Sequence, residues 1–395
     1  MNHNFLTIVS TIVVGSALAV SASPAVAASY KVHPGESIQA AIDNAAAGDK
    51  IFVYPGDYLE PHSNTAAITI NKPLTLQAKV SAKDRELGNI VRILPTNGQQ
   101  DGILAEPANP GDPNIEGVRI KGFTVEGFPG HGIFLRYVTD FRIENNTSIN
   151  NLGNGIWPTL SANGRVKKNV SYGSEDAALW VEGATDVRVT QNEVYGSPTG
   201  LEVTISADIK MDKNIIHDNT VGVGLYHPNS AGLPIPVGMT PGNWELSKNH
   251  IYSNNAPNIA PPASQSGALP PGGGILLLGV DYVEVADNLV ENNDFYGIAV
   301  VDYCIAVGGS AFDCDGRPPV DGDPAPRFNL IGKNTFNNNG TNPDPGHPLA
   351  PYAADFTYIQ AETGAGTKNR FCANEPAGLT VAVFLELPTI SSKCN

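Results

Sequence analysis

The stretch Asp186–Gly196 reads DVRVTQNEVYG, in which apolar and polar side chains alternate through Val187 and Val189 and run into Asn192. Near-copies of it recur along the chain. RIKGFTV starts at Arg119, RIENNTS at Arg142, RVKKNVS at Arg165, RVTQNEV at Arg188 and KMDKNII at Lys210, at steps of 23, 23, 23 and 22 residues. ELSKNHI at Glu245, EVADNLV at Glu284 and LIGKNTF at Leu330 follow at steps of 35, 39 and 46, so each of these has gained an insertion. The second position of every copy is apolar: Ile120, Ile143, Val166, Val189, Met211, Leu246, Val285 and Ile331. The fifth is Phe123 once and then Asn146, Asn169, Asn192, Asn214, Asn249, Asn288 and Asn334.

A period of 22–24 residues with two-residue alternation inside it describes one coil of a parallel β-helix. Each coil carries about three short strands, and coils stack roughly 4.8 Å apart. The pattern of leucine-rich repeats is missing, and a propeller blade needs about 40 residues. Asn suits the turn because it tolerates left-handed backbone, and a stack of Asn side chains can hydrogen-bond from coil to coil. Asn192 is therefore expected to be one rung of a structural ladder.

A second strand precedes most copies by ten residues: GIFLR from Gly132, GIWPT from Gly155, ALWVE from Ala178, GLEVT from Gly200, GVGLY from Gly222, GILLL from Gly274 and GIAVV from Gly297. Its regularity predicts a long, flat sheet. The helical spacing of Ile38, Ala41, Ile42 and Ala45 predicts a cap over the N-terminal end. The expected organisation is a leader at 1–28, the cap and first coils at 29–117, regular coils with Pro-rich insertions at 118–340, and a C-terminal cap at 341–395.

Composition agrees with this reading. Only 16% of the residues are charged, with 41 Gly and 31 Pro, which is turn-rich and unlike a helical protein. The apolar run Phe5–Val20 and the small residues Ala25–Ala28 read as a cleaved secretory signal, although no Lys or Arg precedes the run. The mature chain is thus expected to be secreted or periplasmic and to carry no membrane span. Four cysteines fit export, and short loops favour the pairs Cys304–Cys314 and Cys372–Cys394 among three possible pairings. No metal-ligand spacing and no cofactor motif is present. A net charge of −15 argues against nucleic acid and anionic membrane as partners.

VHPGESIQAAIDNAAAGDKIFVYPGDY, from Val32 to Tyr58, resembles the N-terminal segment of secreted right-handed β-helix proteins of the pectate-lyase superfamily. The segments HPNSAGLP at His227 and NNAPNIAPPASQSGALPPGGGILLLG at Asn254 resemble a bacterial subfamily of parallel β-helix repeat proteins. The likeness covers residues 30–305. It implies an all-β, right-handed parallel β-helix, and a superfamily of polysaccharide lyases, hydrolases, epimerases and carbohydrate-binding proteins. The DPHD box of alginate epimerases and the calcium-binding RTX nonapeptide are missing.

A β-helix fills its interior, so chemistry must lie outside. In the long sheet one outward column runs Phe134, Trp157, Trp180, Glu202, Gly224, and the next runs Arg136, Thr159, Glu182, Thr204, Tyr226. His131 and Asp176 stand at the strand starts, and His227 follows Tyr226. Phe134, Trp157, Trp180 and Tyr226 are the candidate sugar-binding residues, because sugar C–H faces pack on aromatic rings. The opposing expectation is that a loop or the C-terminal tail packs over them. Glu182 and Glu202, with backbones about 8 Å apart, suit an inverting acid–base pair, with Asp176 or Glu175 as a third carboxylate. A lyase or epimerase would instead use Arg136 with His131 or His227, although His227 lies four coils away, roughly 19 Å. Insertions 228–242 and 303–327 are expected to wall one side of the face, and 256–272 to leave elsewhere. The basic column Arg119, Arg142, Arg165, Arg188, Lys210 reads as paired with Asp140, Asp186 and Asp208. The expected partner is an extended carbohydrate, processed by a hydrolase, by a lyase or epimerase, or simply bound. The oligomeric state is open.

Overall fold

The computed structural model describes residues 27–61, 65–230, 233–306, 325–360, 368–376, 379–384, 389–391 and 393–394. Residues 1–26 of the expected leader and Cys314 lie outside them. The described chain winds as a parallel solenoid whose strands form sheets of 15, 10 and 11 strands. Every pairing is parallel and in register with the repeats: Arg142 faces Arg119 and Arg165, and Arg188 faces Lys210. The sequence period therefore maps directly onto the coil.

The second-position residues from Ile120 to Ile331 are all at most 1% exposed, and so are Ile133, Ile156, Leu179, Leu201, Val223, Ile275 and Ile298 of the long sheet. Burying each such side chain is worth about 1.5–3 kcal/mol. The helix Ile38–Asn44 closes the N-terminal end, as its spacing predicts, with Ile38 and Ile42 buried. Ser37 caps it, accepting from the Ala40 N–H at 3.0 Å, and Glu60 Oε1 accepts from the Ile38 N–H at 2.7 Å. These acceptors satisfy amides that a helix start leaves without intrahelical partners.

The Asn column forms the expected ladder, for a different reason than expected. Left-handed backbone falls one residue earlier, at Asn145, Lys168, Gln191 and Lys213 (φ 54–58°), so it is not the ladder Asn that needs it. The Asn is required for its amide. Asn192 donates from Nδ2 to Val166 O and to Asn214 Oδ1, both at 3.0 Å, and its backbone N–H donates to the same Oδ1 at 2.9 Å. Each buried corner is thereby satisfied by its neighbour. Phe123 is tolerated as the first rung because its N–H still donates to Asn146 Oδ1 at 3.0 Å. A second buried ladder, Asn219–Asn254–Asn293–Asn339, ends on Asp355.

The coils continue beyond the expected boundary of the C-terminal segment. Ala354–Ile359 pairs with Tyr296–Val301, Arg370–Cys372 with Leu330–Gly332, and Thr389–Ser391 with Arg370–Cys372. Cys372 and Cys394 are disulfide-bonded, and Cys304 is also in a disulfide. Among the described residues, no helix is long and apolar enough to cross a membrane.

Three of the five cations in the basic column are ion-paired, with partners partly unlike those expected. Arg119 pairs with Asp140 at 2.6 Å, Arg188 with Asp212 at 2.7 Å and Lys210 with Glu245 at 3.1 Å. Asp186 and Asp208 occupy left-handed turn positions, and Asp208 accepts from Asn243.

Candidate functional site

The columns of the long sheet stand in the expected register. Phe134 pairs with Trp157, Trp180 with Glu202 and Glu202 with Gly224, while Arg136 pairs with Thr159, Thr159 with Glu182 and Thr204 with Tyr226. Phe134 and Trp157 stack at 4.5 Å and Trp157 and Trp180 at 5.0 Å, with planes 7° and 3° apart. Rings stacked this way use their inner faces on one another. Trp180 ends the row. Its Nε1–H donates to Thr204 Oγ1 at 2.9 Å, and its unstacked face looks toward the coil that carries Glu202.

At that point the insertion 256–272 changes the surface. It leaves the coil after His250–Tyr252, away from the insertion at 228–242, as expected, but arches back over the sheet face. Asn258 ties it to itself through the carbonyls of Ser266 and Leu269, at 2.8 and 3.0 Å. Ser266 Oγ then hydrogen-bonds Asp176 Oδ1. Beneath it lies a cavity of about 330 Å³, lined on the solenoid side by Asp176, Trp180 and Glu202 and on the loop side by Ser264, Gln265 and Ser266. Ser230, from the insertion after His227, also reaches it. The sequence marks this loop only as a break in the period, so its Ser and Gln residues carried no signal of the face they meet.

Glu202 is 5% exposed, and its Oε2 has no hydrogen-bond partner among the described residues. Burial pushes its carboxyl well above the usual range. The nearby charges of Asp176 and then Glu182 push the same way, and a hydrogen bond with Thr199 opposes them. Asp176 thus stands beside Glu202 both in the cavity lining and in its electrostatics. Glu182 is 1% exposed, is hydrogen-bonded by Thr159 Oγ1 at 3.2 Å, and is not among the residues lining this cavity.

The remaining candidates have other surroundings. His131 packs on Trp157 at 4.6 Å, and its Nδ1 accepts the Asn154 N–H at 2.9 Å, so its proton belongs on Nε2. Burial lowers its pKa, against the charges of Asp101 and Asp176. Arg136 is engaged by Glu106, at 3.0 Å from Nε and through Nη2 as well. His227 is fully buried and stacked on Tyr303 at 4.6 Å. The buried Tyr226 hydroxyl meets Thr199 Oγ1 at 3.3 Å, and its ring lies over Gly224. Burial, followed by the Glu202 charge, raises its phenol well above the ordinary value. The structure thus brings Trp180, Glu202 and Asp176 together, places His131 beside the aromatic row, and holds Arg136 and His227 apart. Among the described residues, no three His, Cys, Asp or Glu side chains are grouped to hold a metal ion.

A family model described as the right handed beta helix region matches residues 108–233. The chain folds as a right-handed parallel β-helix. Solved structures of this fold align over most of its length. The A-module of mannuronan C-5 epimerase AlgE6 from Azotobacter vinelandii gives a TM-score of 0.60 at 16% identity, covering 90% of this chain and 92% of that one. The AlgE4 A-module from the same organism gives 0.60 at 16%, covering 90% and 95%. DFA-IIIase from Arthrobacter chlorophenolicus A6 without its lid gives 0.57 at 13%, covering 88% and 82%. At such identities the likeness concerns the β-helix alone. No curated protein matches the sequence.

Proposed function

We propose that this β-helix protein binds a glycan in the Trp180–Glu202–Asp176 cavity and hydrolyses a glycosidic bond there. The observation that carries the reading is Glu202, a carboxyl 5% exposed, with one oxygen unpartnered among the described residues, standing in a cavity beside a second carboxylate. A carboxyl whose pKa is raised keeps its proton at neutral pH and can give it to a leaving-group oxygen. Asp176 then serves as the partner carboxylate, acting on water or on the sugar. The open face of Trp180 is a platform for a sugar ring. A cavity of about 330 Å³ suits a chain end better than the middle of a polymer.

Glu175 and Asp176 make the lining acidic, which disfavours a uronate and favours a neutral sugar. A lyase or epimerase would need a cation free to neutralise a uronate, and Arg136 is engaged by Glu106. The comparisons include proteins named for carbohydrate chemistry, such as the mannuronan epimerases, which supports a carbohydrate role in general terms. The apolar leader and the Cys372–Cys394 disulfide support action outside the cytoplasm.

The test uses residues 29–395 against neutral and acidic polysaccharides and oligosaccharides. It reads new reducing ends, unsaturated-uronate absorbance and glycan retention. The expected result is reducing ends from a neutral glycan, lost in Glu202→Gln while retention persists. Retention without reducing ends would make the protein a binding module, and absorbance would make it a lyase.

A further inference from the structure

Beyond Glu202 the same sheet face changes character. The outward column continues as Gly224, Leu276, Ala299 and Thr357, and its neighbour as Tyr226, Leu278, Val301 and Ile359. These coils floor a second, mainly apolar cavity of about 630 Å³, walled by Leu269 of the 256–272 insertion and by Leu349 and Tyr352. Ser230 and Gln265 line both cavities, so the two lie end to end on one face. The Tyr226 ring, lying over Gly224 between Glu202 and Leu276, marks the border.

The apolar cavity is not uniformly inert. Tyr296 lines it and is only 4% exposed, yet its hydroxyl has no hydrogen-bond partner among the described residues. A buried phenol O–H without an acceptor is costly unless a ligand supplies one. An aliphatic wall with a single orphaned donor matches the ester or amide carbonyl of an acyl chain. A volume of this order is ample for such a chain.

We propose that the joined cavities take an acylated sugar, with the sugar at Trp180 and Glu202, the aliphatic chain over Leu276, Leu278 and Ala299, and the Tyr296 hydroxyl donating to the acyl carbonyl. The inference rests on the glycan reading above for the position of the sugar. The apolar half is independently testable.

The experiment titrates the full chain with the neutral apolar fluorophore N-phenyl-1-naphthylamine, then displaces it with glucose monoesters from acetate to octanoate. The dye is expected to bind, and displacement to tighten about fourfold per methylene that is fully buried. Ala299→Phe, which fills the cavity, should abolish both effects. Leu278→Glu, at a half-buried position, should do so without threatening the fold, as its thermal midpoint will show. Tyr296→Phe should weaken octanoyl glucose about two- to tenfold while leaving octyl glucoside, which has no carbonyl, unchanged. Displacement independent of chain length, or Ala299→Phe and Leu278→Glu proteins that bind like the parent, would overturn the proposal. Chain-length-dependent displacement without glycan cleavage would keep this cavity and remove the hydrolase reading. Cleavage without chain-length dependence would do the reverse.

Discussion

The protein carries two aromatic ladders, and their geometry is nearly the same. On the long sheet Phe134, Trp157 and Trp180 stack at 4.5 and 5.0 Å. On the ten-stranded sheet Tyr172, Tyr195, His217 and Tyr252 stack at 4.6, 5.0 and 5.0 Å. Both follow from the coil spacing, which puts one residue per turn at ring-stacking distance. Stacked rings alone therefore say little about function. The ladders differ in their surroundings. The first runs into the buried Glu202 under the 256–272 insertion, where burial pushes the carboxyl well above the usual range. The second is edged by Glu193 and Asp218, with side chains 45% and 64% exposed, which pair with His217 at 3.3 and 2.7 Å.

The sharpest test of this contrast exchanges one acid on each ladder. Glu202→Gln should lower the rate of glycan hydrolysis by about 10²–10⁴-fold, the usual contribution of a general acid, whereas Glu193→Gln should leave it unchanged. Progress curves of reducing-end release would show it. The next test removes one ring from each. Trp180→Ala should cost about 3 kcal/mol of stability and abolish glycan retention, because the ring is half-buried and carries the open face. Tyr195→Ala should cost about 1 kcal/mol with retention intact. Urea unfolding together with affinity electrophoresis separates the two. Ser266→Ala frees the insertion from Asp176 and should weaken retention about two- to tenfold, mainly through KM, with little change in midpoint.

The smallest effect concerns pH. The folded-state pKa of Glu202 lies above its unfolded value, so above the unfolded value of about 4.3 the unfolded chain releases this proton while the folded chain keeps it. Stability is therefore lost as pH rises from there toward the raised folded pKa, and hydrolysis should fade as the acid ionises. Glu202→Gln should flatten the decline in stability, and the mutant should unfold at a higher temperature than the parent at pH 8. Melting curves from pH 4 to 8 check it.

The coil, its register and the outward columns were legible because each is a direct consequence of spacing: residues 22 or 23 apart must face one another once the chain is a solenoid. The closed site was not, because the insertion that closes it has left the period. Nothing in NNAPNIAPPASQSGALPPGGG states that Ser266 returns to Asp176, 90 residues earlier. The carboxylates show the same limit. Backbone spacing pointed to Glu182 and Glu202, whereas the cavity lining holds Glu202 with Asp176, a neighbour that alternation does not encode. The Asn column was recognised through its constancy. Its physical cause, amide pairing in place of backbone conformation, needed the neighbouring φ angles.

The Asn ladders also have a sense. In every rung the backbone N–H and one Nδ2–H give forward to the next coil's Oδ1, while the other Nδ2–H gives back to a main-chain carbonyl of the preceding coil, so the amide dipoles align head to tail like a row of magnets set the same way. The second ladder closes on a negative charge, Asp355: one oxygen takes Asn339, and the other takes the Thr380 N–H and hydroxyl at 3.0 and 2.9 Å, whereas the first ladder passes from Asn334 to the neutral Asn374. A polar row of this kind can be lengthened or shortened by whole coils, but no coil can be inserted facing backward.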